Sequence, residues 1–285
     1  MLSGQTLFQC SIQAPDSGPL RYNSSKMGSQ RRPLTAIKVG STSLTVLAAP
    51  TLRDPWWEAS YELGLLGADD PVGRLEAVLD TITERLRVWA PLPVVVGTGE
   101  VGRVVPPLGQ ALRRRGFVPW LMRGDEEARA TWWAVCAEMG KAVTVIDVGG
   151  GSTEVVSERS AASFPAGAAR PFREPPALGD FARDAVVAAG GSARLLGRWF
   201  DTQRLTTGAL DTFAQELPEP ETIAGRLGVS RLRAGLLAGG AACLRDTMKA
   251  LEVDACRVAS LDLRHGLWIA GALGRAARWA GDDVS

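Results

Sequence analysis

The stretch Val143-Thr144-Val145-Ile146-Asp147-Val148-Gly149-Gly150-Gly151-Ser152-Thr153-Glu154 decides how this chain is read. An apolar, β-branched run ends in a carboxylate, three glycines follow, and two hydroxyls and a second carboxylate close the segment. Val143 to Val148 reads as a buried strand, and the glycines as a tight reversal. Backbone N–H groups without a neighbouring Cβ can approach a ligand closely, and successive N–H groups form an anion-binding nest. A carboxylate at the strand end can hold Mg²⁺ beside a bound phosphate. The same glycines also suit a hairpin that uses them for geometry alone, so the pattern admits both readings.

Two other glycine motifs are excluded. The chain has no G-x-x-x-x-G-K-[ST], so it is not a P-loop protein. A dinucleotide fingerprint needs G-x-G-x-x-G opening a helix, whereas Ser152-Thr153-Glu154-Val155-Val156 reads as a returning strand. The expected phosphate cradle is therefore a β-hairpin.

Around this segment, strands and helices alternate. Met1 to Pro33 is polar and aperiodic and reads as a disordered leader or tag, or as an extension ahead of Met27. Leu34 to Ala49 reads as strand, glycine turn and strand. Leu75, Val78, Leu79, Ile82 and Leu86 recur at helical spacing, and Pro91 and Pro93 close that helix. Val94 to Val96 form a short strand ending at Gly97-Thr98. Leu108 to Arg115 read as a helix and Phe117 to Met122 as a strand. Asp125, Glu126 and Glu127 open a helix to about Met139, where carboxylates suit the positive end of the helix dipole. A strand from Asp184 to Ala189 runs into a second glycine loop, with a helix from Ser192. A long helix is expected over Leu232 to Leu251, then a strand near Arg257 to Ser260 and a final helix ending near Trp279. The hairpins at Gly40-Ser41 and Gly149-Ser152 repeat one another, which predicts two related α/β lobes, each presenting one phosphate loop to a shared cleft.

The chain has 285 residues, 46% of them hydrophobic and 22% charged, and a formal net charge of +1. These values suit a globular protein and indicate no overall attraction to DNA or to a membrane. No apolar stretch approaches the roughly 20 residues that span a bilayer. Cys10, Cys136, Cys243 and Cys256 lack zinc-site spacing, and a reducing cytoplasm is the expected compartment. The single histidine, His265, is expected to be structural or to edge a ligand. Trp132-Trp133 and Trp56-Trp57 suit packing better than base stacking. Arg113-Arg114-Arg115 reads as a solvated helix end, with steering of a polyanion as the alternative.

Asp147 to Glu154 resembles the D-[IV]-G-G-G-S-T-E block of the exopolyphosphatase/guanosine pentaphosphate phosphohydrolase (Ppx/GppA) family of the actin/sugar-kinase/Hsp70 superfamily. Further blocks follow in order: Gly124-Asp125-Glu126-Glu127-Ala128-Arg129, Ala166-Gly167-Ala168-Ala169-Arg170, Gly190-Gly191-Ser192-Ala193-Arg194 and Val258 to Leu267. The resemblance spans roughly Leu34 to Leu267. It implies an α/β fold of two actin-like (ribonuclease H-like) lobes with an interdomain cleft, divided at 34–124 and 125–285. It also implies a cytoplasmic hydrolase that releases terminal phosphate from polyphosphate or guanosine pentaphosphate (pppGpp), with a possible homodimer. On this resemblance Gly40, Ser41, Gly97, Thr98, Gly149, Gly150, Gly151, Ser152, Gly190, Gly191 and Ser192 hold phosphate. Asp147 and Glu154 position Mg²⁺, and Glu127 activates the attacking water. Lys38, Arg103 and Arg264 face the polyanion or the cleft.

The chain departs from the pattern at three places. Lys38 stands where the first loop of the family has Asp. Arg103 falls one residue late in its block, and His265 replaces a usual Glu. Lys38 admits a second reading, a catalytically weakened binding protein for polyphosphate or guanosine polyphosphates. A kinase-like phosphotransferase of the same superfamily is a third.

Overall fold

The computed structural model describes residues 34–272 apart from 53–54, 66–67, 88–93, 99–106, 116 and 118, with the backbone alone at 87, 94–98, 11–13 and 21–23. Arg103, Cys10, Pro91, Pro93 and Trp279 lie outside the described residues, as does most of the expected leader. Within that leader, β1 (Ser11–Gln13) and β2 (Arg21–Asn23) form an antiparallel ribbon.

The first sheet contains β3 (Leu34–Val39), β4 (Ser43–Ala49), β5 (Trp57–Glu62), β6 (Val94–Thr98) and β7 (Pro119–Leu121), in spatial order β5-β4-β3-β6-β7. The second contains β8 (Thr144–Val148), β9 (Thr153–Val156), β10 (Ala161–Phe164), β11 (Val186–Ala189), β12 (Arg204–Thr206) and β13 (Ala255–Val258), in order β10-β9-β8-β11-β13-β12. Three antiparallel strands in meander, followed by parallel strands beyond the first, recur in both. Apart from the added edge strand β12, the two sheets have one topology. These are the two actin-like, ribonuclease H-like lobes.

Side-chain alternation in the central strands sets the layers. Ile37 and Val39 of β3 pack beneath α1 (Pro71–Arg87) and α2 (Pro107–Arg114). Leu34 and Ala36 face the other way, into a core shared with α3 (Gly124–Met139). In the second sheet, Ile146 and Val148 join a core with α4 (Gly190–Trp199), α5 (Thr207–Glu216), α6 (Pro220–Leu227), α7 (Arg231–Gly235) and α8 (Leu237–Ala250). Val143 and Val145 face the shared core, which α9 (Leu263–Ala272) completes.

The helix pair α3–α9 therefore lies between the two sheets and joins them. Trp268 Nε1 donates to the Ala49 carbonyl at 3.0 Å, tying α9 to the first sheet. Trp132 Nε1 donates to the Val143 carbonyl at 2.8 Å, tying α3 to the second. Burying both rings while satisfying each N–H explains why tryptophan stands at these places. Among the described residues no helix is long and apolar enough to cross a membrane.

Several boundaries differ from the sequence expectation. The predicted helix over Leu232 to Leu251 is two helices, α7 and α8, meeting at Leu236. The strand into the second glycine loop begins at Val186, and its helix starts at Gly190, two residues before Ser192. Here Gly190 adopts φ +85°, and a Cβ on it would lie 2.3 Å from Asp147 Oδ1. Both the left-handed backbone and the close approach demand glycine, so chain direction changes there.

Candidate functional site

The two hairpins are built alike. In β3–β4, Gly40 N–H donates to the Ser43 carbonyl at 2.9 Å; in β8–β9, Gly149 N–H donates to the Ser152 carbonyl at 2.9 Å. Val39 pairs with Leu44 and Val148 with Thr153, each across a four-residue turn, so Lys38 and Asp147 hold equivalent register positions in the two hairpins. The glycines of the second hairpin do not serve a positive-φ turn; among the described glycines that conformation occurs at Gly64, Gly140, Gly190 and Gly228. They serve close approach. A Cβ on Gly150 would stand 2.4 Å from Ser41 Oγ and 2.8 Å from Thr42 Cγ2, so the hairpins of the two lobes touch there. The Ala166-to-Arg170 block braces the second hairpin, with Ala168 and Ala169 N–H donating to the Gly149 and Gly150 carbonyls at 2.9 and 2.8 Å.

Between the hairpins lies a cavity of about 90 Å³. It gathers Lys38, Gly40, Ser41, Asp147, Gly149, Gly150, Gly190, Gly191 and Ser192 from the sequence-derived set. The N-terminal ends of α4 and α8 open onto it, and helix N-termini present free N–H groups and positive potential to an anion.

Other expected residues fall elsewhere. Gly97 and Thr98 end β6, where Gly97 pairs with Lys38 in the sheet; only their backbone is described. Gly151, Ser152, Glu127 and Glu154 are not among the lining residues. Glu154, expected beside Mg²⁺, is 5% exposed and accepts a hydrogen bond from Ser163 Oγ at 3.0 Å. Burial, then the charges of Glu127 and Asp147, push its carboxyl well above the usual range, so it holds a proton more readily than an ordinary glutamate. Arg264, expected at the cleft, pairs with Glu58 at 2.9 Å and with Asp262 at 3.5 Å, which turns it into a strut between α9 and the first lobe. His265 is buried and accepts from the Asp262 N–H at 3.1 Å, a structural placement at the start of α9.

Two cations in the lining were absent from the sequence-derived site. Arg194 pairs with Asp262 at 2.8 Å. Burial alone would raise the Asp262 carboxyl, but Arg194, His265 and Arg264 outweigh it and hold the group well below the carboxylate range. Arg233 comes from α7 and reaches Gly191, where a Cβ would lie 2.7 Å from its Nη2. Burial and the neighbouring Arg194 charge lower its pKa, and it makes no ion pair within 4.0 Å among the described residues. Arg194 lies within a quoted sequence block and was recoverable from it. Arg233 lies on the short helix α7, ahead of the break at Leu236 that periodicity does not signal.

Mg²⁺ requires several oxygen ligands in near-octahedral array. Among the described residues no group of three or more His, Cys, Asp or Glu side chains is placed to hold a metal ion. Of the two carboxylates in the lining, Asp262 is committed to Arg194, and Asp147 Oδ2 accepts from Thr131 Oγ1 at 3.0 Å. Lys38 adds an ammonium to the same cavity. The lining leaves Mg²⁺ one uncommitted carboxylate oxygen, Asp147 Oδ1, beside the Lys38 ammonium, so the residues present do not by themselves build a resident Mg²⁺ site.

Residues 114–176 match the model of the Ppx/GppA phosphatase family. No curated protein matches the chain. Among solved structures, the chain is similar to the Aquifex aeolicus member of the Ppx/GppA family, with 20% identity and a TM-score of 0.68 over 85% of this chain and 98% of that one. It is also similar to an exopolyphosphatase from Cytophaga hutchinsonii, with 14% identity and a TM-score of 0.71 over 85% of this chain and 98% of that one. The chain thus carries a segment that matches the Ppx/GppA phosphatase family within the two-lobed fold that those structures share.

Proposed function

We propose that the chain is a phosphohydrolase that releases terminal phosphate from a phosphoanhydride, inorganic polyphosphate or guanosine pentaphosphate. The observation that carries this reading is the cavity between the two hairpins, where backbone amides, two helix N-termini and three cationic side chains converge. An elongated chain of phosphates suits it better than a nucleoside, because about 90 Å³ is far below the roughly 300–1,000 Å³ of pockets that enclose drug-sized ligands. In this reading the amides of Ser41 and Gly150, at the tips of the two hairpins, align the terminal phosphoryl group, and Arg194 and Arg233 meet the charge of the leaving phosphate. Glu127, in the first turn of α3 and close enough to Glu154 to raise its carboxyl, takes a proton from the attacking water. The water oxygen bonds to phosphorus as the bridging P–O bond breaks. Alignment and charge neutralisation are most of what phosphoryl transfer requires.

A second reading, binding without turnover, is favoured by the position of Glu127 outside the cavity lining and by Lys38 within it. Phosphate release from tripolyphosphate, long-chain polyphosphate and guanosine pentaphosphate separates the two. The hydrolase reading expects release by the wild type and a loss of about 10²- to 10⁴-fold in Glu127→Gln, the usual range for a general base. Tight binding without release establishes the second reading, and release unaffected by Glu127→Gln removes Glu127 from the mechanism.

A further inference from the structure

We infer that Lys38 is a built-in cation for the terminal phosphate, so that this site takes phosphoanhydrides without a divalent metal. The inference rests on the phosphoanhydride reading and deepens it.

The placement of Lys38 is the first support. It sits two residues before the first hairpin turn, at the position equivalent to Asp147, on the β3 face that turns toward the other lobe. Its side chain runs along the turn, with Cε 3.6 Å from where a Cβ on Gly40 would stand. It lines the cavity and makes no ion pair within 4.0 Å among the described residues. An ammonium left unmatched beside backbone amides is a phosphate-binding point charge.

The charge inventory of the cavity is the second. Lys38, Arg194 and Arg233 stand against Asp147 and Asp262, three cations to two carboxylates. Both carboxylates already have partners, Thr131 for Asp147 and Arg194 for Asp262. A divalent ion would find one uncommitted carboxylate oxygen, Asp147 Oδ1, in a lining whose cations outnumber its acids, whereas a polyphosphate terminus brings the negative charge that the lining lacks.

Calorimetric titration with tripolyphosphate, in EDTA and in Mg²⁺, tests this. The wild type is expected to bind in EDTA, and Mg²⁺ to leave the affinity unchanged or to lower it by competing for phosphate oxygens. Lys38→Met is expected to weaken binding about 10- to 100-fold, as loss of a charge-assisted hydrogen bond does, while Lys38→Arg stays within about fivefold of wild type. Binding that appears only with Mg²⁺ overturns the inference and leaves the phosphoanhydride reading standing, as does Lys38→Met within about threefold of wild type. Absence of binding in both buffers sinks the phosphoanhydride reading itself, and the inference with it. If Lys38→Met does not fold, the EDTA arm on the wild type decides alone.

Discussion

Replacing Gly266 by alanine tests whether the α3–α9 helix pair holds the lobes together. A Cβ on Gly266 would lie 1.9 Å from the Ala130 carbonyl oxygen, 2.3 Å from its carbon and 3.0 Å from its Cα. Ordinary contact begins near 3.4 Å, so the helices must separate by about 1.5 Å. The obstructing atoms are backbone, and no rotamer change relieves them. Separation would loosen Trp268 against Ala49 and the packing of Leu263 and Leu267 in the shared core. Overpacking of a core typically costs about 1–3 kcal/mol and occasionally more; a backbone clash at the centre of the interface belongs at the upper end, about 3 kcal/mol. At about 2–4 °C per kcal/mol for a chain near this size, Tm falls by roughly 6–12 °C. Gly225→Ala is the control of opposite sign. Gly225 lies inside α6 with nothing within 4 Å of its Cβ position, so alanine gains helix propensity of about 0.8–1.0 kcal/mol and raises Tm by a few degrees. Thermal unfolding followed by tryptophan fluorescence reads both variants, since Trp132, Trp133 and Trp268 are buried in this core. A Gly266→Ala protein melting within about 2 °C of wild type would refute the argument that this contact joins the lobes.

The buried Glu154 carboxyl makes stability depend on pH in a definite direction. Its folded pKa is raised above the ordinary 4.5, so the folded state binds the proton more tightly than the unfolded chain, and stability falls as pH rises from about 4.5 through the raised value. Glu154→Gln removes that proton, so the Tm of the variant minus that of wild type is expected to grow with pH, by at most about 1.4 kcal/mol of stability per pH unit; a difference independent of pH contradicts it. Cys256 should resist thiol reagents in the folded protein. Burial pushes its thiol up to about 12, and at pH 8 roughly one part in 10⁴ is thiolate. Peptide mapping after native alkylation is expected to find it unmodified, and full modification on the timescale of an exposed thiol would show that the second core opens.

The fold was legible in the sequence where one strand period and one turn signal coincided. Val143 to Val148 and Leu34 to Val39 carry β-branched runs that end in glycine and hydroxyl residues, and both became central strands with the expected hairpins. Capping was legible too: Glu126 accepts from the Arg123 N–H at 2.7 Å, which makes it a helix-start residue. Arg114 and Arg115 pair with Glu76 at 2.6 and 3.0 Å and Arg115 also with Asp80 at 2.8 Å, so these two arginines tie α2 to α1, partners that the solvated-end reading does not include. Long-range partners were not legible. Nothing near Arg264 in sequence announces Glu58, and nothing near Arg233 announces Gly191. The α7–α8 break escaped notice because its apolar spacing continues across Leu236. Gly239, in the first turn of α8, packs against the Ala168 carbonyl, where a Cβ would stand 2.0 Å from the oxygen, a contact that no local spacing signals.

Duplication of the strand–hairpin unit places two equivalent side chains at one cavity, and their charges set what the cavity admits. Lys38 lies beside Gly97 and Asp147 beside Ala189 on the adjoining parallel strands, small neighbours in both lobes. With Lys38, the lining holds Lys38, Arg194 and Arg233 against Asp147 and Asp262, three minus two, a balance of +1. An aspartate in its place would leave two cations against three carboxylates, a balance of −1. A phosphate would then meet a lining with one more acid than cation, the balance that an added metal would offset. One residue thus reverses the sign of the lining's charge balance without any change in the hairpins that shape it.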